Sequence, residues 1–262
     1  MPIIQTGSTL NLTTNNNSAA SNETITVPAD AEIILVGFSG YADPAQASWF
    51  TGGDATVTIG GSALTAITGG DTSTSFWQAG MWYRVSPATG SQSLAWNLNG
   101  ASGISGGLRV IISITFWKGI ELAGAVRDTD GVQGTGNPRT SGTLTAQSGD
   151  KIVAFVGTFG NTAELAYTWS GTNVTELSEL THQNDADGSW GYADPTGNQT
   201  IAASDTTGSE GGLLSIVLIP ASGGGGGTPF FTVLDAQRLR RPKPRRSKWT
   251  RQPNSGLYLR AA

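Results

Sequence analysis

Cysteine is absent from the 262 residues, so neither a disulfide framework nor a thiolate metal site is available. Histidine occurs once, as His182 in the polar stretch Thr181-His182-Gln183-Asn184-Asp185. A Ser-His-Asp triad would also need a Gly-x-Ser-x-Gly elbow between a strand and a helix, a context the chain lacks. His182 is therefore read as solvated and the chain as a non-enzyme. Helical apolar periodicity is missing, and no segment approaches the roughly 18 apolar residues of a membrane span. Met1-Pro2-Ile3-Ile4-Gln5-Thr6 has no basic stretch leading into an apolar run, so neither a standard signal peptide nor a membrane partner is expected.

Charge is also scarce, at 13% of residues, beside 37% hydrophobic residues and 37 glycines. That balance can bury a core, and its Gly, Thr, Ser and Asn content suits short strands joined by tight turns. Strand patterns run over residues 24–27, 32–38, 55–59, 63–67, 76–85, 93–98 and 108–117, punctuated by Gly and Pro. Residues 1–21 end in a polar run from Thr13 to Ser21 and read as an extended arm or loop. Ile120 to Thr140, with four glycines and Pro138, reads as a long surface loop or a link.

Four segments recur in the same order. Asp150 to Gly157 echoes Ala31 to Gly37, and Thr168 to Thr175 echoes Thr58 to Thr65. Pro195 to Ile201 matches Pro87 to Leu94, and Gly211 to Val217 matches Gly106 to Ile112. A duplicated strand module is the reading, with halves 22–119 and 140–220 inside a region 22–220. Strands spaced in this way indicate an all-β antiparallel sandwich or jelly roll. The halves are either tandem small sandwiches or interleaved strands of two large sheets, and one compact unit is favoured.

The series of an apolar strand ending in Val-Gly, a Gly-Gly or Ser-Gly turn, a Trp-Tyr strand running into Pro-x-Thr-Gly and a closing Gly-Gly-Leu strand resembles β-sandwich modules of tailed-bacteriophage virion proteins. Similar modules occur in bacterial surface proteins. The resemblance spans roughly residues 22–220 and carries no catalytic residues. It implies a structural or adhesive role in a virion, as a capsid decoration, head fibre, or tail or baseplate appendage, among other virion structural proteins. A homo-oligomer stays open.

The acids Asp43, Asp71 and Asp194 sit in turn-type sequences, where Asp bonds its own backbone, so a paired-carboxylate hydrolase is not favoured. Asp128-Thr129-Asp130-Gly131 and Asp185-Ala186-Asp187-Gly188 open like calcium loops but lack the later ligands, so the turn reading leads and no cofactor is expected. Trp82, Trp96 and Trp117 read as core. Trp49 and Phe50, with Trp190 and Tyr192, stand in glycine-rich, loop-like settings and are the candidate contacts for a glycan or a partner.

The stretch Ala221-Ser222-Gly223-Gly224-Gly225-Gly226-Gly227 divides charges of opposite sign. Upstream, six bases face 18 acids, a balance of -12. Residues 228–262 hold nine bases against Asp235, a balance of +8. Five consecutive glycines read as a flexible tether between the halves of this charge divide. In the tail, Arg238, Arg240, Arg241, Lys243, Arg245, Arg246, Lys248 and Arg251 crowd into 14 positions, with Trp249 among them. Apolar brackets at Phe230, Phe231 and Leu234 and at Leu257 and Tyr258 suggest an extended peptide that docks by β-addition on an acidic protein neighbour. Salt-dependent nucleic-acid binding, with Trp249 stacking on a base, is the second reading.

Overall fold

The computed structural model describes the chain apart from residues 15–19, 43–54, 68–76, 98–107, 160–164, 181–185, 207–209, 223–248, 252–257 and 261–262. Every regular element among the described residues is a β-strand, and they fall into two kinds. On β4 (Ile33–Ala42), β10 (Leu108–Lys118), β13 (Lys151–Phe159) and β18 (Gly211–Leu218), nearly every described residue is buried. Such unbroken apolar runs fit strands covered on both faces. On β3 (Ala20–Val27) and β9 (Gly90–Asn97) burial alternates, through Ile25 and Val27 and through Leu94 and Trp96. That alternation fits sheets with one wet face.

The sheets follow this division. The first inner sheet has the order β2 (Leu10–Thr14), β10, β4, β8 (Trp77–Val85), β7 (Thr65–Ile67), and β1 (Ile4–Gln5) also pairs with β10. Its outer partner is β3, β9, β5 (Thr56–Ile59), β6 (Ser62–Ala63). The second inner sheet runs β11 (Val126–Gly134), β18, β13, β16 (Ala186–Ala193), β15 (Val174–Leu180). Its outer partner is β12 (Arg139–Thr140), β17 (Ile201–Asp205), β14 (Tyr167–Gly171). The two orders match strand for strand, β2-β10-β4-β8-β7 against β11-β18-β13-β16-β15. Each repeat thus builds its own antiparallel sandwich, and among the described residues no sheet mixes strands from the two halves.

Two regions differ from their sequence reading. Residues 4–5 and 10–14 are not a free arm but edge strands on β10, with Ile3 buried and Leu10 and Leu12 packed against the first core. The stretch read as a loop after Ile120 contains β11, paired with β18 from Val126 to Gly134. Its glycines and aspartates lower strand propensity, and pairing with an apolar neighbour overrides that local preference.

Three cores result. One lies within each sandwich, and the third joins Ile33, Leu35, Met81 and Trp117 of the first inner sheet to Val153, Phe155, Trp190 and Ile216 of the second. The inner sheets meet over glycine. A Cβ on Gly37 of β4 would lie 2.6 Å from the Phe155 ring, and one on Gly157 of β13 would lie 2.7 Å from Ser39 Cβ. Both glycines follow a valine at matching places in the repeat. Polar latches flank the contact: the Gln133 amide donates to Ala79 O and accepts from Ala79 N, and Ser39 Oγ donates to Thr158 O. Met1–Gly223 forms one compact unit, and Gly224–Ala262 forms another.

A methyl group at either interface glycine overpacks the joint, so Gly37→Ala and Gly157→Ala are each expected to cost about 1–3 kcal/mol. Thermal denaturation beside Gly197→Ala, whose added methyl would meet open space, checks this.

Candidate functional site

The segment Gly188-Ser189-Trp190-Gly191-Tyr192 is not a loop. It is the centre of β16, paired with β13 on one side and β15 on the other. Its glycines seat aromatic rings and do not turn the chain. A Cβ on Gly188 would lie 3.0 Å from Phe155, and one on Gly191 would lie 2.6 Å from the Trp169 ring. Trp190 is consequently fully buried between the sandwiches, its ring centroid 4.9 Å from that of Phe155. Its indole N–H donates to Ser113 Oγ at 2.8 Å, and that hydroxyl donates to Asn11 Oδ1 at 2.7 Å. Trp190 therefore cannot meet a glycan or an external partner. Tyr192, two residues on, is half-buried at the rim of the same core.

Trp82, Trp96 and Trp117 are core, as their strand settings predict. Trp49, Phe50, His182 and Asp185 lie outside the described residues.

The calcium reading of Asp128 and Asp130 gives way to a structural one. Both lie within β11, two apart and hence on one face, and bind backbone. Asp128 accepts the amides of Thr129 and Thr145 at 2.9 and 2.7 Å, and Asp130 accepts that of Gly142 at 2.8 Å. They pin the strand's neighbouring loop. Asp187 is fully buried on β16 opposite Thr158, within a strand and not a turn. Among the described residues, no group of three or more His, Asp or Glu is gathered as a metal would need.

Ion pairs use up most of the body's cationic charge. Lys118 pairs with Asp30 at 2.5 Å, Arg127 with Asp150 at 2.6 Å, and Arg139 with Asp205 at 2.8 Å, while Lys151 pairs with Asp194. The Arg127 guanidinium is held above its usual range by its hydrogen bonds to Asp150. The Arg139–Asp205 pair is deeply buried in the second sandwich. Burial also pushes the Tyr167 hydroxyl up, while it shares a hydrogen bond with Thr158 Oγ1 at 2.5 Å.

Sequence reasoning missed a pair of glutamates on the edge strand β15. A bulge between Glu176 and Ser178 leaves Leu177 as the extra residue. Glu176 and Glu179 then face the second outer sheet together. Glu179 Oε1 accepts the Tyr167 amide at 3.0 Å, and Glu176 Oε1 accepts the Ser189 hydroxyl at 3.0 Å, which itself accepts Trp169 Nε1 at 2.9 Å. The two carboxyl groups thus stitch the second sandwich along one edge. Partial burial raises the Glu176 carboxyl above its usual range, the adjacent Glu179 adds to this, and the Ser189 hydrogen bond opposes it. The one available sequence signal was the Glu-x-x-Glu spacing in a strand, which only a bulge can turn to one side.

Two surface cavities stand out. One of about 480 Å3 is bordered by Pro2, Ile4, Ala31, Lys118 and Gly119. Its charged groups are committed: Asp30 holds Lys118 and the Thr6 hydroxyl, and Glu32 accepts the Ile120 amide. The other, of about 180 Å3, lies at the rim of the joint between the sandwiches, among Gln5, Trp117, Lys151, Leu177 and Tyr192.

Of the tail, the structure describes β19 (Trp249–Arg251) and β20 (Tyr258–Arg260), paired antiparallel with Trp249 opposite Arg260 and Arg251 opposite Tyr258. The tail's strand-forming ends therefore pair with each other. Phe230, Phe231, Leu234, Leu257 and the bases from Arg238 to Lys248 lie outside the described residues.

No family model and no curated protein matches the chain. Dimeric latent PorU from Porphyromonas gingivalis is a structural neighbour at 13% identity and a TM-score of 0.29. The match covers 84% of this chain and 22% of PorU, and so loose a superposition carries no argument about fold or role.

Trp190→Ala is expected to destabilise the body by about 3–5 kcal/mol, measurable by urea denaturation. Because the folded chain holds the Glu176 proton more tightly than the unfolded chain, its contribution is full below the ordinary value of 4.5 and declines as pH rises through the raised value. Denaturation midpoints from acidic to neutral pH should show that decline, and Glu176→Gln should flatten it.

Proposed function

We propose that the protein is a non-catalytic structural component of a tailed-phage particle, a capsid decoration, head fibre or tail appendage. The double sandwich is the rigid outward body, and the basic tail anchors it to neighbouring virion proteins. What carries this reading is the distribution of cationic charge. Four of the six bases in the body are paired with acids, and Arg84 donates to Ala63 O. Nine of the chain's 15 bases lie beyond the glycine tether, against one acid. Most of the chain's positive charge is thus concentrated in the tail, and such a concentration steers encounter with an acidic surface.

The body supports the spacer half of the reading. Both inner sheets are covered on both faces, so the apolar strands are consumed in joining the repeats. The buried charges hold strands and loops together, which favours a mechanical role over a chemical one. The strand orders also support reading each repeat as a jelly roll. With β11 to β18 numbered one to eight, the second repeat's inner sheet runs 1-8-3-6-5 and its outer sheet 2-7-4, and β2 to β10 follow the same order when β6 and β7 are counted as one strand.

Co-sedimentation with particles lacking the protein tests the anchor, comparing the full chain with residues 1–222. The expected outcome is that only the full chain pellets and that free DNA does not compete. Equal pelleting of the truncated chain would overturn the anchor. Competition by DNA together with loss of binding at high salt would make the tail a nucleic-acid segment.

A further inference from the structure

The smaller cavity, of about 180 Å3, is walled by both repeats, through β1 and β10 of the first and β13, β15 and β16 of the second. We infer that it is a binding site for a single neutral pyranose ring, as at the end or branch of a glycan. This inference is independent of the tail's role.

Junctions between packed units are favoured places for ligand pockets, which combine an apolar lining with a few convergent polar groups. The lining here is an aromatic corner. The rings of Trp117 and Tyr192 meet edge-to-face, with centroids 6.1 Å apart at 67°. Leu177 completes it, aimed inward by the β15 bulge, a device that re-aims side chains beside binding sites. Such a corner suits the C–H face of a sugar ring.

Three polar groups border the corner with capacity to spare. Gln5 donates through Nε2 to Thr9 Oγ1, which leaves its carbonyl oxygen as an acceptor. The half-buried Tyr192 brings a hydroxyl that can both donate and accept. Lys151 Nζ lies 4.7 Å from the Tyr192 ring centroid and pairs with Asp194, and an ammonium has three protons to give. One acceptor, one hydroxyl and one donor match the mixed hydroxyls of a sugar.

Charge and size narrow the ligand class. Asp194 already balances Lys151, so a carboxylated or phosphorylated ligand would gain the ammonium but confront the carboxylate. A neutral polyol leaves the pair intact. At roughly 30 Å3 per water, the cavity of about 180 Å3 holds about six waters, the space of one ring.

Saturation-transfer NMR on the full chain tests this with methyl glucoside, methyl galactoside, N-acetylglucosamine and sialic acid. At least one neutral sugar is expected to bind with a dissociation constant of about 1 mM, the range for a shallow single-ring site. Leu177→Trp, which fills the cavity, and Gln5→Ala, which removes the acceptor, should each weaken it at least tenfold while the melting transition persists. Three results would each overturn the inference: no neutral sugar binds, sialic acid is preferred, or binding survives both substitutions but is lost in Trp49→Ala.

Discussion

The joint between β4 and β13 is the contact on which the rest of the body depends. Each strand carries a glycine where the other sheet comes closest, with Gly37 under the Phe155 ring and Gly157 under Ser39 and Ala79. Removing two side chains from the contact lets the sheets approach until the aromatic rings interlock, which lateral pairing alone would not achieve. Once that approach is made, Trp190 falls between the sandwiches with its indole N–H directed at Ser113. A duplicated module thereby becomes one layered body, because each inner sheet uses its second face on the other.

Burying both faces has a polar consequence. Main-chain groups and hydroxyls in the joint lose water, so they need partners inside the protein. Gln133 supplies both a donor and an acceptor to the backbone of Ala79, and Ser113 both receives from Trp190 and gives to Asn11. The second sandwich adds the Arg139–Asp205 pair, which is costly to desolvate and costlier to break. These groups are aimed inward as supports. The β15 bulge points the other way: it sends Leu177 to the rim of the joint and both glutamates to the sandwich edge, so one irregularity shapes the pocket and the stitch together.

The same glycine chemistry explains where sequence reading failed. In Gly188-Ser189-Trp190-Gly191-Tyr192 the glycines suggest a turn, yet they are seats for Phe155 and Trp169, and nothing local separates a glycine that bends the chain from one that admits a ring. Asp128 and Asp130 suggest a turn or an ion for a similar reason. Besides the adjacent Thr129 amide, their partners are the amides of Gly142 and Thr145, which lie 12 and 17 residues from the acids they bind. The edge strands β1, β2 and β11 are short or polar and owe their form to β10 and β18. The pocket was legible only through Tyr192, because its other walls come from four different strands.

The sequence by itself determined the all-β class, the turn punctuation, the duplicated order of strands and the break in charge at the glycine run. Each of these is carried by local composition or by a repeat along the chain. Tertiary structure alone decided that the halves form separate sandwiches joined back to back, that Trp190 is core, and that Leu177 and Tyr192 share a pocket. Those outcomes depend on which faces of distant strands meet. Alternation along a strand says that a face is apolar, but only the packed fold says what covers it.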